Sequence, residues 1–216
     1  GEAIKLPVQD LRKLLIGVVI SMIPIVNFIS MGYFLESAKN SMKGKYKMPE
    51  WKNFWSLFKK GFVATVIGFI YAIPALVLLV VFVVSLFKPT YASLATGQQS
   101  FQFVTNILLN INYGLLALLI LFLLFAIYLS PMAIMNYVKF GKFEAAFSLR
   151  RIIKRAFTGT YFAAWLLGGV YFIIILIILS VLFFFLPFIG SGIATFIGGL
   201  TYYSLIGEAY GKIKIK

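Results

Sequence analysis

The sequence predicts an all-α, polytopic membrane bundle, and three observations carry that prediction. Four stretches, residues 14–35, 61–87, 89–138 and 156–207, contain no Asp, Glu, Lys or Arg over 22, 27, 50 and 52 residues. About 20 apolar residues in a helix cross roughly 30 Å of hydrocarbon, so the first two stretches each suffice for one helix and the last for two. Runs such as 173–179 and 181–186 are apolar at nearly every position, whereas the strands of a membrane barrel alternate. Basic residues gather in the gaps: seven Lys from Lys39 to Lys60, six Lys or Arg from Lys139 to Arg155, and Lys212, Lys214 and Lys216 in the tail. At 216 residues and 62% apolar content, the chain is expected to form a single transmembrane domain over 1–216.

About five crossings are expected, with two cytoplasmic interfacial amphipathic helices. The first apolar segment, 14–35, is interrupted by Pro24, with Asn27 one turn later. It is read as a single kinked crossing, because its length fits one span. The alternative is a re-entrant hairpin, which keeps Lys5, Arg12 and Lys13 on the same side as the other basic residues but needs two half-helices of about ten residues. Residues 36–46 continue the first helix out of the membrane as far as Gly44. Pro49 then opens an interfacial helix in which Trp51, Phe54, Trp55, Phe58 and Phe62 recur at helical spacing, with Trp51 and Trp55 as anchors at headgroup depth.

The second crossing runs over 61–87 with Pro74 as a kink, followed by a nearly neutral connection, 88–106, placed outside. A third crossing, 107–138, is interrupted at Ser130-Pro131. A second basic interfacial stretch follows, with Phe143, Phe147, Ile153 and Phe157 opposed to Glu144, Arg151, Lys154 and Arg155. The last crossings, 161–186 and 188–209, meet at a turn over 187–192. Gly44-Lys45 stands before Lys59-Lys60-Gly61-Phe62 much as Gly141-Lys142 stands before Lys154-Arg155-Ala156-Phe157. This pairing suggests a weak parallel repeat of 14–87 and 107–186, with 188–209 as an additional last span.

The segment LLIGVVISMIPIVNFISMGYFLES, then KGKYKMPEWKNFWSLFKKGF and IYAIP, resembles the archaeal multi-pass membrane family catalogued as domain of unknown function 4013. The resemblance rests on Gly32-Tyr33, on Met48-Pro49 with Trp51, and on the aromatic stretch leading into Gly61. It extends more diffusely through most of the chain. It implies an archaeal helical membrane protein and supplies no activity and no functional residues.

Charge and composition bound the function. The net charge of +14 would point to nucleic acid in a soluble chain, but its confinement to the ends of spans fits a membrane surface better, and no nucleic-acid partner is expected. Cytoplasmic flanks of spans are enriched in Lys and Arg, which places both basic connections and the C-terminus inside a cell membrane. The absence of Cys and His removes thiolate and imidazole chemistry and the usual transition-metal ligands. No signal peptide is read at the start. No catalytic, cofactor-binding or metal-binding residues are assigned, and an enzyme is not expected.

The leading expectation is a non-catalytic, lipid-interacting or membrane-organising protein, self-associating as a homo-oligomer. Lys59, Lys60, Arg150, Arg151, Lys154 and Arg155 are its candidate contacts to anionic lipid. The alternative is an ion channel or small-solute transporter, with Asn27, Asn136 and Glu208 on its polar path.

Overall fold

The computed structural model describes residues 2–95 and 111–214, and every regular element among them is helical. The α-helices are α1 (Glu2–Lys5), α2 (Leu11–Met22), α3 (Asn27–Ser41), α4 (Phe54–Ala95), α5 (Tyr113–Phe140), α6 (Leu149–Ala156), α7 (Gly159–Leu182) and α8 (Pro187–Lys212), with short 3-10 turns at Leu6–Val8 and Phe143–Phe147. Four are long and apolar enough to cross a membrane: α4 over Phe54–Leu86, α5, α7 and α8. The chain is therefore a multi-pass helical membrane protein. Among the described residues the number of such helices is four, one fewer than the crossings expected from sequence.

The difference lies in the first apolar segment, which is two helices and not one kinked crossing. Ile23 leaves the helical region, at φ −101° and ψ 115°, because the ring of Pro24 crowds the residue before it. The chain then turns back. Ser21 and Ser30 share a buried hydroxyl hydrogen bond of 2.8 Å, whereas residues nine apart in one helix are separated by about 13 Å along its axis. Helix α8 records the reversal: its Gly192 faces Met22 and Phe196 covers Gly17, so α2 runs antiparallel to it, while Gly199, Gly207 and Gly211 meet Phe34, Ala38 and Met42 in turn, so α3 runs parallel. This is the geometry of the hairpin alternative. It brings the N-terminal segment to the end of α8 where the chain finishes: Gln9 Nε2 donates to the Tyr46 carbonyl at 3.3 Å, and Lys13 Nζ to Glu50 at 2.6 Å.

Two compact units divide the chain, Gly1–Gly68 with Tyr128–Lys216 and Phe69–Ile127. In the second, Phe69, Ile73, Val77, Val80 and Val84 form an exposed stripe at helical spacing along α4. Such a surface suits a lipid solvent, in which apolar side chains need no protein cover.

In the first unit α8 is the central helix. Half of its apolar window is buried, against 6% for α7, whose outward face is as apolar as that of α4. Helices α2, α3 and α7 all pack on it. Ser37 and Ser204 are joined by a 2.8 Å hydrogen bond across the α3–α8 contact. Another close crossing joins α3 to the start of α4. A Cβ on Gly32 would strike the Leu57 backbone and one on Gly61 the Phe28 carbonyl, so the two helices meet backbone to backbone there.

Several boundaries differ from expectation. Residues 45–53 are not helical, so Pro49 opens no helix and Trp51 belongs to none. Helix α4 begins at Phe54, where the Asn53 side chain accepts from Ser56 N at 3.3 Å, and runs without a break through Gly61 and Pro74 to Ala95. The first expected interfacial helix is thus the opening of α4; one glycine disfavours a helix by only about 1 kcal/mol, too little to end it at Gly61. The second expected interfacial stretch does contain a separate short helix, α6, closed off by Thr158, which caps α7 by accepting from Tyr161 N at 3.3 Å. Pro131 lies inside α5. The last turn falls at 183–186, with Pro187 at the first position of α8, where its missing N–H leaves no helical bond unmade. Gly97, Gln98, Gln99 and the expected start of the third crossing at Ile107 lie outside the described residues.

The two likened basic connections begin alike. Gly44, beyond α3, and Gly141, beyond α5, both take positive φ, 71° and 69°, the left-handed conformation that ends helices. After those glycines the two paths diverge.

Candidate functional site

The first basic connection is tied into the protein. Trp51 stacks on Tyr33 at 3.9 Å between ring centroids, lies beside Phe54 and Phe196, and donates its indole N–H to the Lys13 carbonyl at 3.1 Å. Tyr33 donates to the Pro49 carbonyl at 2.8 Å. Trp51 is therefore partly buried and packs against the core, whereas Trp55 is exposed, with Lys59 Nζ 5.2 Å above its ring. Lys60 is ion-paired with Glu36, which removes it from the free cations. Lys13, mostly buried, lies between Asp10 at 3.7 Å and Glu50 at 2.6 Å. The hydrogen bond and charge of Lys13 hold the Glu50 carboxyl below the usual carboxylate range.

The second basic connection is different. Along α6, Ile152 and Ala156 are buried, Leu149 and Ile153 form an exposed apolar edge, and Arg150, Arg151, Lys154 and Arg155 cover the remainder. These four cations, with Phe140, Ser148 and Leu149, line an open groove of about 530 Å³. None of the four forms an ion pair among the described residues, and no carboxylate lines the groove. Two of the cations are held in place. The Arg151 guanidinium lies 4.5 Å over the Phe140 ring. Arg155 lies 4.1 Å over the Tyr210 ring and donates to the carbonyls of Tyr210 and Ile213 at 3.0 and 3.1 Å, closing the C-terminal end of α8. Its Nε is buried without a partner.

The scaffold under α6 is equally determined. Tyr128 donates to the Ala156 carbonyl at 2.6 Å, and the buried Tyr161 donates to the Tyr128 carbonyl at 2.5 Å. Tyr210 donates to Asn136 Oδ1 at 2.7 Å, beneath the arginine it supports.

The residues of the expected polar path are not brought together. Asn136 is buried against Tyr210, with its Nδ2 unpartnered, and Glu208 is paired with Lys212 at 2.6 Å. Both lie towards the C-terminal end of α8. Asn27 starts α3 beside the hairpin turn, towards the other end of α8. Of the six cations assigned to lipid, the structure places four in one groove and leaves Lys59 on α4 and Lys60 in an ion pair. Sequence reading missed Tyr210, Phe140, Ser148 and Leu149. The i, i+4 spacing of Arg151 with Arg155 was visible, but nothing in the linear order brings residue 210 beneath it. Among the described residues no three acids lie close enough together to hold a metal ion.

Residues 15–184 match the sequence model of the family described as proteins of unknown function, DUF4013, and the chain belongs to that family. The residues that carried the resemblance meet in one place: Gly32 and Gly61 at the α3–α4 crossing, with Tyr33, Pro49 and Trp51 joined by stacking and a hydrogen bond. They are structural residues of the first unit. No curated protein and no solved structure matches the chain.

Proposed function

We propose that this member of the family is a non-catalytic membrane protein that holds anionic lipid headgroups on the end of the bundle where its termini and basic connections meet. The observation that carries the reading is the α6 groove: four cations without a carboxylate among them, beside the exposed apolar side chains of Phe140, Leu149 and Ile153. Each Lys or Arg near an anionic bilayer surface contributes about 1 kcal/mol of attraction, and a ligand with both a negative head and apolar chains matches both halves of this surface.

The same end is read as cytoplasmic. With the first segment folded as a hairpin, Lys5, Arg12 and Lys13 join the other basic residues, as the charge asymmetry of cytoplasmic loops requires. In this reading α6 lies along the interface of a cell membrane, with Leu149 and Ile153 towards the acyl region.

The test is retention of anionic lipid by purified protein. Replacing Arg150, Arg151 and Lys154 together by Gln is expected to reduce co-purifying anionic lipid several-fold, and replacing Lys60 is expected to leave it unchanged. Equal retention by both variants would remove the basis of the proposal. Reproducible unitary currents in planar bilayers, abolished at Asn27, Asn136 or Glu208, would replace it with a channel.

A further inference from the structure

We infer that the α6 groove is a stoichiometric site for one lipid whose headgroup carries a phosphate monoester, and not only a patch of diffuse positive potential; this rests on the lipid-binding reading above. Charge density favours a headgroup of more than one negative charge. Arg150, Arg151, Lys154 and Arg155 fall within six consecutive positions on one short helix, and five of the six acids of the chain are engaged elsewhere, Glu2 with Lys5, Asp10 and Glu50 with Lys13, Glu36 with Lys60 and Glu208 with Lys212. The sixth, Glu144, is exposed and lies outside the groove lining. A single negative charge would offset one cation of four, whereas a phosphate monoester is close to doubly charged at neutral pH, its second pKa being about 6.

Preorganisation is the second element. Arg155 is fixed by an aromatic ring and two backbone carbonyls, and Arg151 rests over the Phe140 ring, so less side-chain freedom remains to be lost when an anion arrives. The start of α6 adds a donor at the same place. Ser148 lines the groove and makes no side-chain cap, so its hydroxyl stands beside Arg150 and Arg151 at the positive end of the helix. Three non-bridging oxygens on one phosphorus atom accept from several such donors at once.

The third element decides between a lipid and a soluble phosphate. Leu149 and Phe140 line the groove while being 55% and 47% exposed, so a bound headgroup has apolar surface immediately beside it. An acyl or alkyl chain covers that surface and inorganic phosphate does not.

The experiment is a titration of the full chain in neutral detergent with phosphatidic acid and, separately, phosphatidylglycerol, with bound lipids counted by native mass spectrometry. One molecule of phosphatidic acid per chain is expected, held at least about tenfold more tightly than phosphatidylglycerol at pH 7.5, with the preference shrinking as the pH falls through about 6. The R150Q/R151Q variant should lose the preference, and K45Q/K47Q, which removes the same charge elsewhere, should keep it. Inorganic phosphate at millimolar concentration should not displace the lipid; complete displacement would overturn the assignment to a lipid. Equal binding of both lipids, in several copies and insensitive to R150Q/R151Q, would overturn the site while leaving a diffuse lipid-binding surface. No binding of either lipid would overturn both.

Discussion

The two basic connections, 42–53 with the start of α4 and 139–158, look like copies in sequence and have opposite characters in space. Both begin with a left-handed glycine and a lysine. In the first, an aromatic ring packs against the core and the nearby lysines Lys13 and Lys60 find carboxylates; in the second, Phe140, Phe143 and Phe157 are exposed and four cations line an open groove. Similar composition therefore serves two purposes, and one difference is the placement of acids: Glu36 and Glu50 stand at the first connection, and no carboxylate lines the groove of the second. Cations that are neutralised hold the protein together, and cations left without a counter-charge are available to a ligand.

That contrast can be broken most severely at the helix crossing beside the first connection. A Gly61→Leu substitution places a side chain where the Phe28 carbonyl stands, and is expected to abolish recovery of monodisperse protein on fluorescence-detected size-exclusion chromatography. Gly141→Leu meets no neighbour and only strains a turn, so it should leave a folded protein destabilised by about 1 kcal/mol. Equal behaviour of the two would mean that the first connection is no more embedded than the second.

A smaller effect compares one aromatic with one arginine. Trp51→Ala removes a stacked ring and an indole hydrogen bond, and should destabilise the protein by about 3 kcal/mol in reversible unfolding, within the range for core aromatics. Arg151→Gln removes an exposed cation over Phe140 and should change stability by less than about 1 kcal/mol. The order reverses for anionic-lipid retention, which Arg151→Gln should reduce and Trp51→Ala should spare in protein that remains folded.

Transplanting the charge pattern sharpens the comparison further. Glu36→Gln frees Lys60 and should raise anionic-lipid retention while changing stability by less than about 1 kcal/mol, since both partners are partly exposed. Leu149→Glu puts a carboxylate into the groove and should lower retention to near that of the charge-removed variant. If neither exchange moves lipid retention, acid placement is not what separates the two connections.

The smallest expected effect is a dependence on pH. Because Lys13 depresses the Glu50 pKa, the contribution of that pair to stability is present above the ordinary carboxylate value and is lost as the pH falls through the lower value in the folded protein. Thermal stability of Glu50→Gln should accordingly lie slightly below that of the parent near neutrality and converge with it at low pH. A gap that widens with acidification would assign the opposite sign to the pair.

The sequence by itself determined the class of the fold and the ends of the bundle. Uninterrupted apolar length dictates helices in hydrocarbon, because only a helix satisfies its own backbone within one segment, and this placed α7, α8 and the end of α5 to within four residues, whereas α4 begins seven residues before the expected start of its crossing. Clustering of Lys and Arg likewise marked both connections before any contact was known. Tertiary structure decided the rest, because it depends on pairs distant in the chain. Pro24 is read from sequence as a kink, with a turn as the alternative, and only the packing of α2 and α3 against α8 in opposite directions makes it a turn. Trp51 has the spacing of an interfacial anchor, yet Tyr33 and Lys13 draw it inward. Six cations look alike in one dimension; Glu36, 24 positions from Lys60, and Tyr210, 55 positions from Arg155, determine which is paired and which is fixed for a ligand. Charge and hydropathy are summed locally, whereas compensation of a charge requires a partner that the fold alone brings near.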